Sequence, residues 1–90
     1  MATNTCSSVI TYQSVTDLGS DPFNSERQNF AEKMYNDGKC ESWPNVANPG
    51  ETPSYRNWID HAAAQEFIDW VVITAPTYNI PILSTSIEDY

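Results

Sequence analysis

The stretch YRNWIDHAAAQEFIDWVV, residues 55–72, constrains the fold of this chain more than any other segment. Asp60 is a good helix N-cap, and the alanines that follow His61 are strong helix formers. Pro76 disfavours helical geometry at the residue before it, so it marks the end of the segment. An amphipathic helix is therefore predicted from Asp60 to about Pro76, with one apolar face made of Ala64, Phe67, Ile68, Val71 and Val72.

A strand and a second helix are predicted ahead of this segment. Residues 7–15, SSVITYQSV, are rich in β-branched and hydroxyl side chains, which is typical of a strand. Ser25 and Gln28 fit a capping box, and apolar residues follow at helical spacing. Because Asp37-Gly38 supplies a left-handed stop, the helix is predicted over residues 25–37.

The middle of the chain predicts a hairpin with a long tip. Residues 39–46 restart as an extended segment that Pro44 limits to an edge or an early end. Residues 54–59 form a second extended segment, and a proline-rich loop at about 44–53 separates the two. A last strand is predicted over residues 80–87.

The predicted order is strand, helix, strand, strand, helix, strand. This is the β-α-β-β-α-β pattern of ferredoxin-like plaits, in which a four-stranded antiparallel sheet carries both helices on one face. We therefore predict one α+β domain over residues 1–90.

The predicted strands carry apolar residues on both faces. Strands with two apolar faces are usually buried on both sides, and a chain of 90 residues has nothing left to cover the second face. We expect another chain to cover it, with scattered surface aromatics as the alternative. The residues concerned are Val9, Thr11 and Val15 against Ile10 and Tyr12 in the first strand, and Ile80 and Ile82 against Leu83 and Ile87 in the last.

The charge balance excludes several classes of partner. Twelve acidic and four basic residues give a formal net charge of −8, which argues against binding nucleic acid or anionic membranes. The expected role of the acids is a solvated surface, and the alternative is an acidic mimic of DNA. The start MATNTCSSV lacks the features of a secretory signal, and no apolar run reaches the roughly 20 residues that span a bilayer. Cys6 and Cys40 are therefore expected to be reduced thiols.

The titratable residues form no catalytic or metal-binding pattern. His61 is the only histidine, and its spacing from Cys6 and Cys40 fits no metal motif. Distance along the chain leaves a Cys40–His61 nucleophile pair open, but a small buried side chain is the expected role of Cys40. The three glycines are isolated, so no phosphate-binding loop is predicted. We predict no catalytic residue, no cofactor and no metal.

Aromatic residues are abundant for so small a core. The chain holds three tryptophans and five tyrosines, and Trp and Tyr dominate interface hot spots. Ordinary packing is the alternative explanation. As protein-interface residues we predict Tyr12, Trp43, Trp58 and Tyr90.

Residues 56–70, RNWIDHAAAQEFIDW, resemble the strand-to-helix junction of dimeric α+β barrels of the antibiotic-biosynthesis monooxygenase class. In that class an R-x-W-type strand precedes an alanine-rich helix that begins with an acid. The resemblance implies a ferredoxin-like dimer that packs sheet to sheet. The histidine or asparagine of the family's pocket has no counterpart here.

The same segment, continued to YNIP at residues 78–81, is similar to short proteins of tailed bacteriophages. In those proteins a W-x-(D/T)-x-x-A-A-x-x-(F/W)-(I/V)-(D/N)-(W/F) helix precedes a Y-N-P-like turn and a final strand. This resemblance implies a small virion protein, made in the host cytoplasm and attached to capsid, neck or tail.

Our leading hypothesis is a non-enzymatic phage interaction protein that binds other virion proteins, or itself, through the open sheet face and the hairpin tip. The alternatives are a dimeric α+β barrel enzyme and an acidic DNA mimic that inhibits a host nucleic-acid enzyme.

Overall fold

The structure is a computed structural model that describes residues 3–13, 23–43 and 52–90. It is an α+β fold in which two helices pack on a three-stranded antiparallel sheet. In chain order the elements are β1 (Cys6–Tyr12), α1 (Phe23–Asn36), β2 (Ser54–Trp58), α2 (His61–Thr74), a 3-10 turn (Ala75–Tyr78) and β3 (Ile82–Asp89).

β1 is the central strand of the sheet, whose order is β2-β1-β3. Cys6 pairs with Trp58 on one side and with Asp89 on the other, so all three strands are in register at this end. At the other end a β-bulge between Thr11 and Tyr12 shifts the pairing with β3 by one residue. The side chain of Thr52 extends the β2 edge, because its hydroxyl accepts from the backbone N–H of Tyr12 at 2.8 Å.

The predicted fourth strand is not confirmed. Residues 39–43 form bends rather than a strand, and residues 44–46 lie outside the described part of the chain. Within the described part the 54–59 segment pairs with β1, and the backbone N–H of Ile59 donates to the carbonyl of Lys39 at 3.0 Å. The tip of the predicted hairpin, residues 44–51, lies outside the described residues as well.

α1 begins two residues earlier than predicted. Phe23 is its first residue, so Ser25 lies inside the first turn and is not the N-cap. The predicted stop is confirmed, since Gly38 adopts a φ of +81° and its N–H donates to the carbonyl of Tyr35.

α2 matches the sequence pattern closely. Asp60 caps it, because a carboxylate oxygen of Asp60 accepts from the backbone N–H of Ala63 at 2.8 Å. The helix ends at Thr74, at the stop predicted over residues 74–76. The buried face differs at one edge, since Ala63 is buried while Val72 is half exposed.

One aromatic-rich core joins both helices to one face of the sheet. The indole of Trp58 is fully buried 5.1 Å from the ring of Phe67, measured between centroids. Trp70 closes the gap between the helices, where it stacks on Phe30 of α1 at 4.7 Å. From the sheet, Cys6, Ile10 and Tyr12 complete this core.

The other face of the sheet is mostly polar, which differs from the expectation of two apolar faces. Val9 and Tyr55 are its apolar members, and the rest are Ser7, Thr11, Asn57, Ser84, Ser86 and Glu88 by strand alternation. The bulge explains the difference. It brings both Ile82 and Ile87 into contact with the core, although they are five positions apart and strict alternation would place them on opposite faces.

None of the helices in the described ranges is both long enough and apolar enough to cross a membrane.

Candidate functional site

The structure places two of the four predicted interface aromatics in the core. Tyr12 and Trp58 are 1% and 0% exposed. The indole Nε1 of Trp58 donates to the Oγ of Ser8 at 2.9 Å, so its polar atom is also used internally. A side chain that its own chain already buries has no surface left for a partner. In the free chain, Tyr12 and Trp58 are therefore not accessible to a partner.

Trp43 and Tyr90 remain accessible and lie at the same end of the sheet. Trp43 is half-buried and contacts the ring of Tyr35 at a centroid distance of 6.0 Å. Tyr90 is 72% exposed, and its backbone N–H donates to the carbonyl of Thr5. The N–H of Glu41 donates to the side chain of Asn4, which ties the segment before Trp43 to this same end. Tyr12 lies at the far end of β1, about 20 Å away along the strand.

The most exposed regular element is β3. Six of its eight residues are exposed, and only Ile82 and Ile87 are partly covered. Leu83, which the bulge leaves without a partner on β1, is 63% exposed. Within the described residues no strand pairs with the outer edge of β3.

The hydrogen-bond pattern shows which backbone groups of β3 face outward. Tyr90 N–H donates to Thr5, and the N–H of Gln13 donates to the carbonyl of Pro81 at the other end. In an antiparallel ladder such pairs recur every second residue. Counted back from Tyr90, the backbone groups of Ser84, Ser86 and Glu88 therefore face β1, and those of residues 85, 87 and 89 face away from the sheet. The bulge at Leu83 interrupts this alternation, so the count from Pro81 runs in the other phase.

A second unusual feature is a buried cluster of two arginines and a tyrosine. Arg27 on α1 and Arg56 on β2 are 0% and 2% exposed, and Tyr12 lies beside them. The Cζ of Arg27 lies 5.7 Å from the centroid of the Tyr12 ring. The Cζ of Arg56 lies 5.3 Å from the centroid of the Phe67 ring. Such contacts compensate part of the cost of burying a guanidinium.

Polar neighbours hold both guanidinium groups in place. The Nη2 of Arg27 donates to the Oδ1 of Asn24, and the Nη2 of Arg56 donates to the Oε1 of Gln28, each at 2.8 Å. Burial, together with the nearby charge of Arg27, lowers the pKa of Arg56 to about 9. Burial raises the pKa of the Tyr12 phenol, and the two guanidinium charges oppose that rise.

The sequence analysis missed this cluster, although a signal was present. Arg27 lies at helical spacing with Phe23, Ala31 and Met34, which form the buried face of α1. Arg56 alternates with Ser54 and Trp58 on the inward face of β2. An arginine inside an apolar period is a buried arginine unless it snorkels, and both of these are buried.

The remaining titratable residues do not form a nucleophilic site. Nε2 of His61 contacts Oδ1 of Asp89, and both side chains are well exposed. Burial raises the pKa of the Cys6 thiol, and the charges of Asp89 and Asp60 add to this effect. A reactive cysteine needs the opposite shift, since the thiolate is the nucleophile. In the described part of the chain, no group of three or more His, Cys, Asp or Glu side chains is arranged to hold a metal ion.

The comparison with known proteins finds no relative of this chain. No protein-family model, no curated protein and no solved structure matches this chain.

Proposed function

We propose that the chain is a non-enzymatic interaction protein that joins a larger assembly by pairing the outer edge of β3 with a strand of another protein chain. The observation that carries this proposal is the exposure of β3. Six of its eight residues are exposed, Leu83 among them, and the adjacent Tyr90 is exposed as well. Strand addition uses this kind of edge, with main-chain hydrogen bonds for affinity and alternate side chains for specificity.

The composition of β3 supports this role. Natural edge strands are usually protected against pairing by lysine, proline or inward-pointing charge. Residues 83–87, LSTSI, contain none of these, and the acids Glu88 and Asp89 lie at the end of the strand. An unprotected edge strand of this length promotes aggregation of an isolated protein, whereas a subunit can use it to bind its partner.

The edge is a better candidate than the open face of the sheet. A sheet-to-sheet dimer, as the barrel resemblance implies, would bury the hydroxyl and carboxylate groups of Ser84, Ser86 and Glu88. Burying such groups costs free energy unless each finds a partner. Pairing at the edge leaves these side chains in solvent.

We also propose that the complete fold is the ferredoxin-like plait. The order β2-β1-β3, all antiparallel, is the order of three of the four strands of that plait. The missing strand would lie beside β2, so the outer edge of β3 would stay an edge. The ferredoxin-like plait and strand pairing at the outer edge of β3 are therefore compatible.

The resemblance of residues 56–81 to short proteins of tailed bacteriophages supports a virion as the assembly. Under this proposal the chain is a small accessory subunit of capsid, neck or tail, and its strand partner is another virion protein.

The test is co-expression with the proteins of neighbouring genes, followed by size-exclusion chromatography. We expect the wild-type chain to elute in a large complex, and Thr85→Pro to elute near its own mass of 10.1 kDa. Proline at residue 85 removes an outward-facing N–H and leaves the ladder with β1 intact. Glu66→Ala on α2 is the matched surface control and should stay in the complex. Elution of the wild-type chain at its own mass in every co-expression would refute the proposal.

A further inference from the structure

The Arg27 guanidinium is buried with part of its hydrogen-bonding capacity unused. Its Nη2 donates to Asn24, but its Nε and Nη1 make no hydrogen bond to any residue in the described part of the chain. The hydroxyl of Tyr12 is buried beside it, and apart from Arg27 no described residue offers it a hydrogen-bond partner. Native proteins leave few such groups unsatisfied, and each one requires an explanation such as a bound ion.

The charges around Arg27 indicate what kind of ligand would satisfy its unused donors. Burial lowers the pKa of Arg56, and the like charge of Arg27 lowers it further. The two lysines of the chain lie at the surface, where Lys33 pairs with Asp37 and Lys39 with Glu66. No described residue places a carboxylate on Arg27. A chain of net charge −8 therefore concentrates buried positive charge at one point.

The available groups define the chemistry of a ligand. A guanidinium can only donate hydrogen bonds, and a phenol can donate one. A ligand that satisfies them must be an acceptor, and a negative charge would also relieve the repulsion between the two arginines. Carboxylate and phosphate groups combine both properties and match the planar donors of arginine. Arg27 and Asn24 also lie in the first turns of α1, where the helix dipole favours an anion.

We propose that Arg27, Arg56 and Tyr12 form a binding site for one oxyanion, a carboxylate or a phosphate group. Its oxygens accept the unused hydrogen-bond donors of Arg27 and Tyr12, and its charge balances the Arg27 guanidinium. This site is internal to one chain and is independent of the proposed pairing at β3.

Thermal unfolding of the wild-type protein tests the proposal with sodium phosphate and sodium acetate as probes. Each is compared with sodium chloride at equal ionic strength. A ligand that binds only the folded state raises the midpoint by mass action, by roughly 5 °C or more at ten times its Kd for a domain of this size. A rise with phosphate alone identifies a phosphoryl ligand, and a rise with acetate identifies a carboxylate. No rise with either anion would overturn the proposal.

Two variants separate a specific site from a general salt effect. Arg27→Met keeps the volume and removes the charge, so we expect it to lose the anion-dependent rise. Lys33→Met, on the exposed side of the same helix, should keep it. In chloride, Arg27→Met should unfold at a midpoint no lower than the wild type, because it removes a buried charge that has no anion beside it. Equal rises in both variants would overturn the site.

The wild-type chain also supplies a direct readout. The Nε–H resonance of Arg27 should shift on titration with the effective anion and saturate with the same Kd as the thermal response. A carboxylate of the chain itself is the competing occupant, and Asp17→Asn, Asp21→Asn and Glu51→Gln test it. If one of these variants destabilises the fold while the wild type ignores added anion, the ligand is internal and the proposal is wrong.

Discussion

Trp58 and Ser8 form a buried hydrogen bond between neighbouring strands, 2.9 Å from the indole Nε1 to the serine Oγ. The bond fixes the largest side chain of the core at the end of β2, where it contacts Phe67 of α2. Trp58 is therefore a structural residue, and its substitution should change the stability of the fold.

Trp58→Phe should lower the free energy of unfolding by about 2 kcal/mol or more. The change leaves the buried Ser8 hydroxyl without its donor and removes part of a packed ring. Urea unfolding checks the value. Trp43→Phe is the control and should cost clearly less, because Trp43 is only half-buried. Equal costs for the two substitutions would contradict the assignment of Trp58 to the core.

Removing the N-cap of α2 should destabilise the fold as well. Asp60→Ala loses the hydrogen bond to the N–H of Ala63, and such substitutions cost about 1 kcal/mol. Asp69→Ala provides the comparison, since Asp69 is exposed and accepts a hydrogen bond from Gln65, one turn earlier in the helix. We expect the exposed substitution to cost at most a few tenths of a kcal/mol. A cost for Asp69→Ala as large as that for Asp60→Ala would mean that the cap bond is not the cause.

Ionisation of the Cys6 thiol should lower the free energy of unfolding at alkaline pH. Its pKa in the folded protein is raised above the ordinary value of 9.0, mainly by burial. Below pH 9 the thiol is neutral in both states and its contribution is complete. As pH rises above 9, the unfolded chain loses the proton first, which favours unfolding. Unfolding free energies at pH 8 and pH 10.5 should therefore fall more for the wild type than for Cys6→Ala. Identical slopes would show that the Cys6 thiol ionises equally in both states.

Two proline substitutions in β3 should differ sharply in the isolated protein. Thr85→Pro removes an N–H that faces outward and should change the free energy of unfolding by less than about 1 kcal/mol. Ser86→Pro removes an N–H that faces β1, opposite Val9, and should cost at least about 2 kcal/mol. Circular dichroism during urea titration measures both. The reverse ranking would mean that the outward and inward residues of β3 are misassigned.

The sequence predicted the elements whose signals are local. Asp60 and the apolar period of α2 fix the start and the buried face of that helix, and Gly38 fixes the end of α1. These signals act within one or two turns and do not depend on tertiary contacts.

Features that depend on distant contacts were not predictable in the same way. The bulge opposite Tyr12 changes the phase of β3, so the alternation of Ile82 and Ile87 suggested a second apolar face that is mostly polar. The burial of Tyr12 and Trp58 follows from β1 being the central strand, which the sequence order alone does not state. The burial of Arg27 was readable from its helical period, but the juxtaposition with Arg56 arises only when α1 packs on β2.

The most direct test of the central claim is hydrogen exchange at the backbone amides of Thr85 and Ile87, measured in the free chain and in the co-expressed complex. These amides face away from the sheet and should exchange rapidly in the free protein, whereas those of Ser84 and Ser86 should be protected in both states. The account predicts that the outward amides become protected in the complex, because a partner strand accepts their hydrogen bonds. Rapid exchange at both in a complex that has formed would contradict pairing at β3.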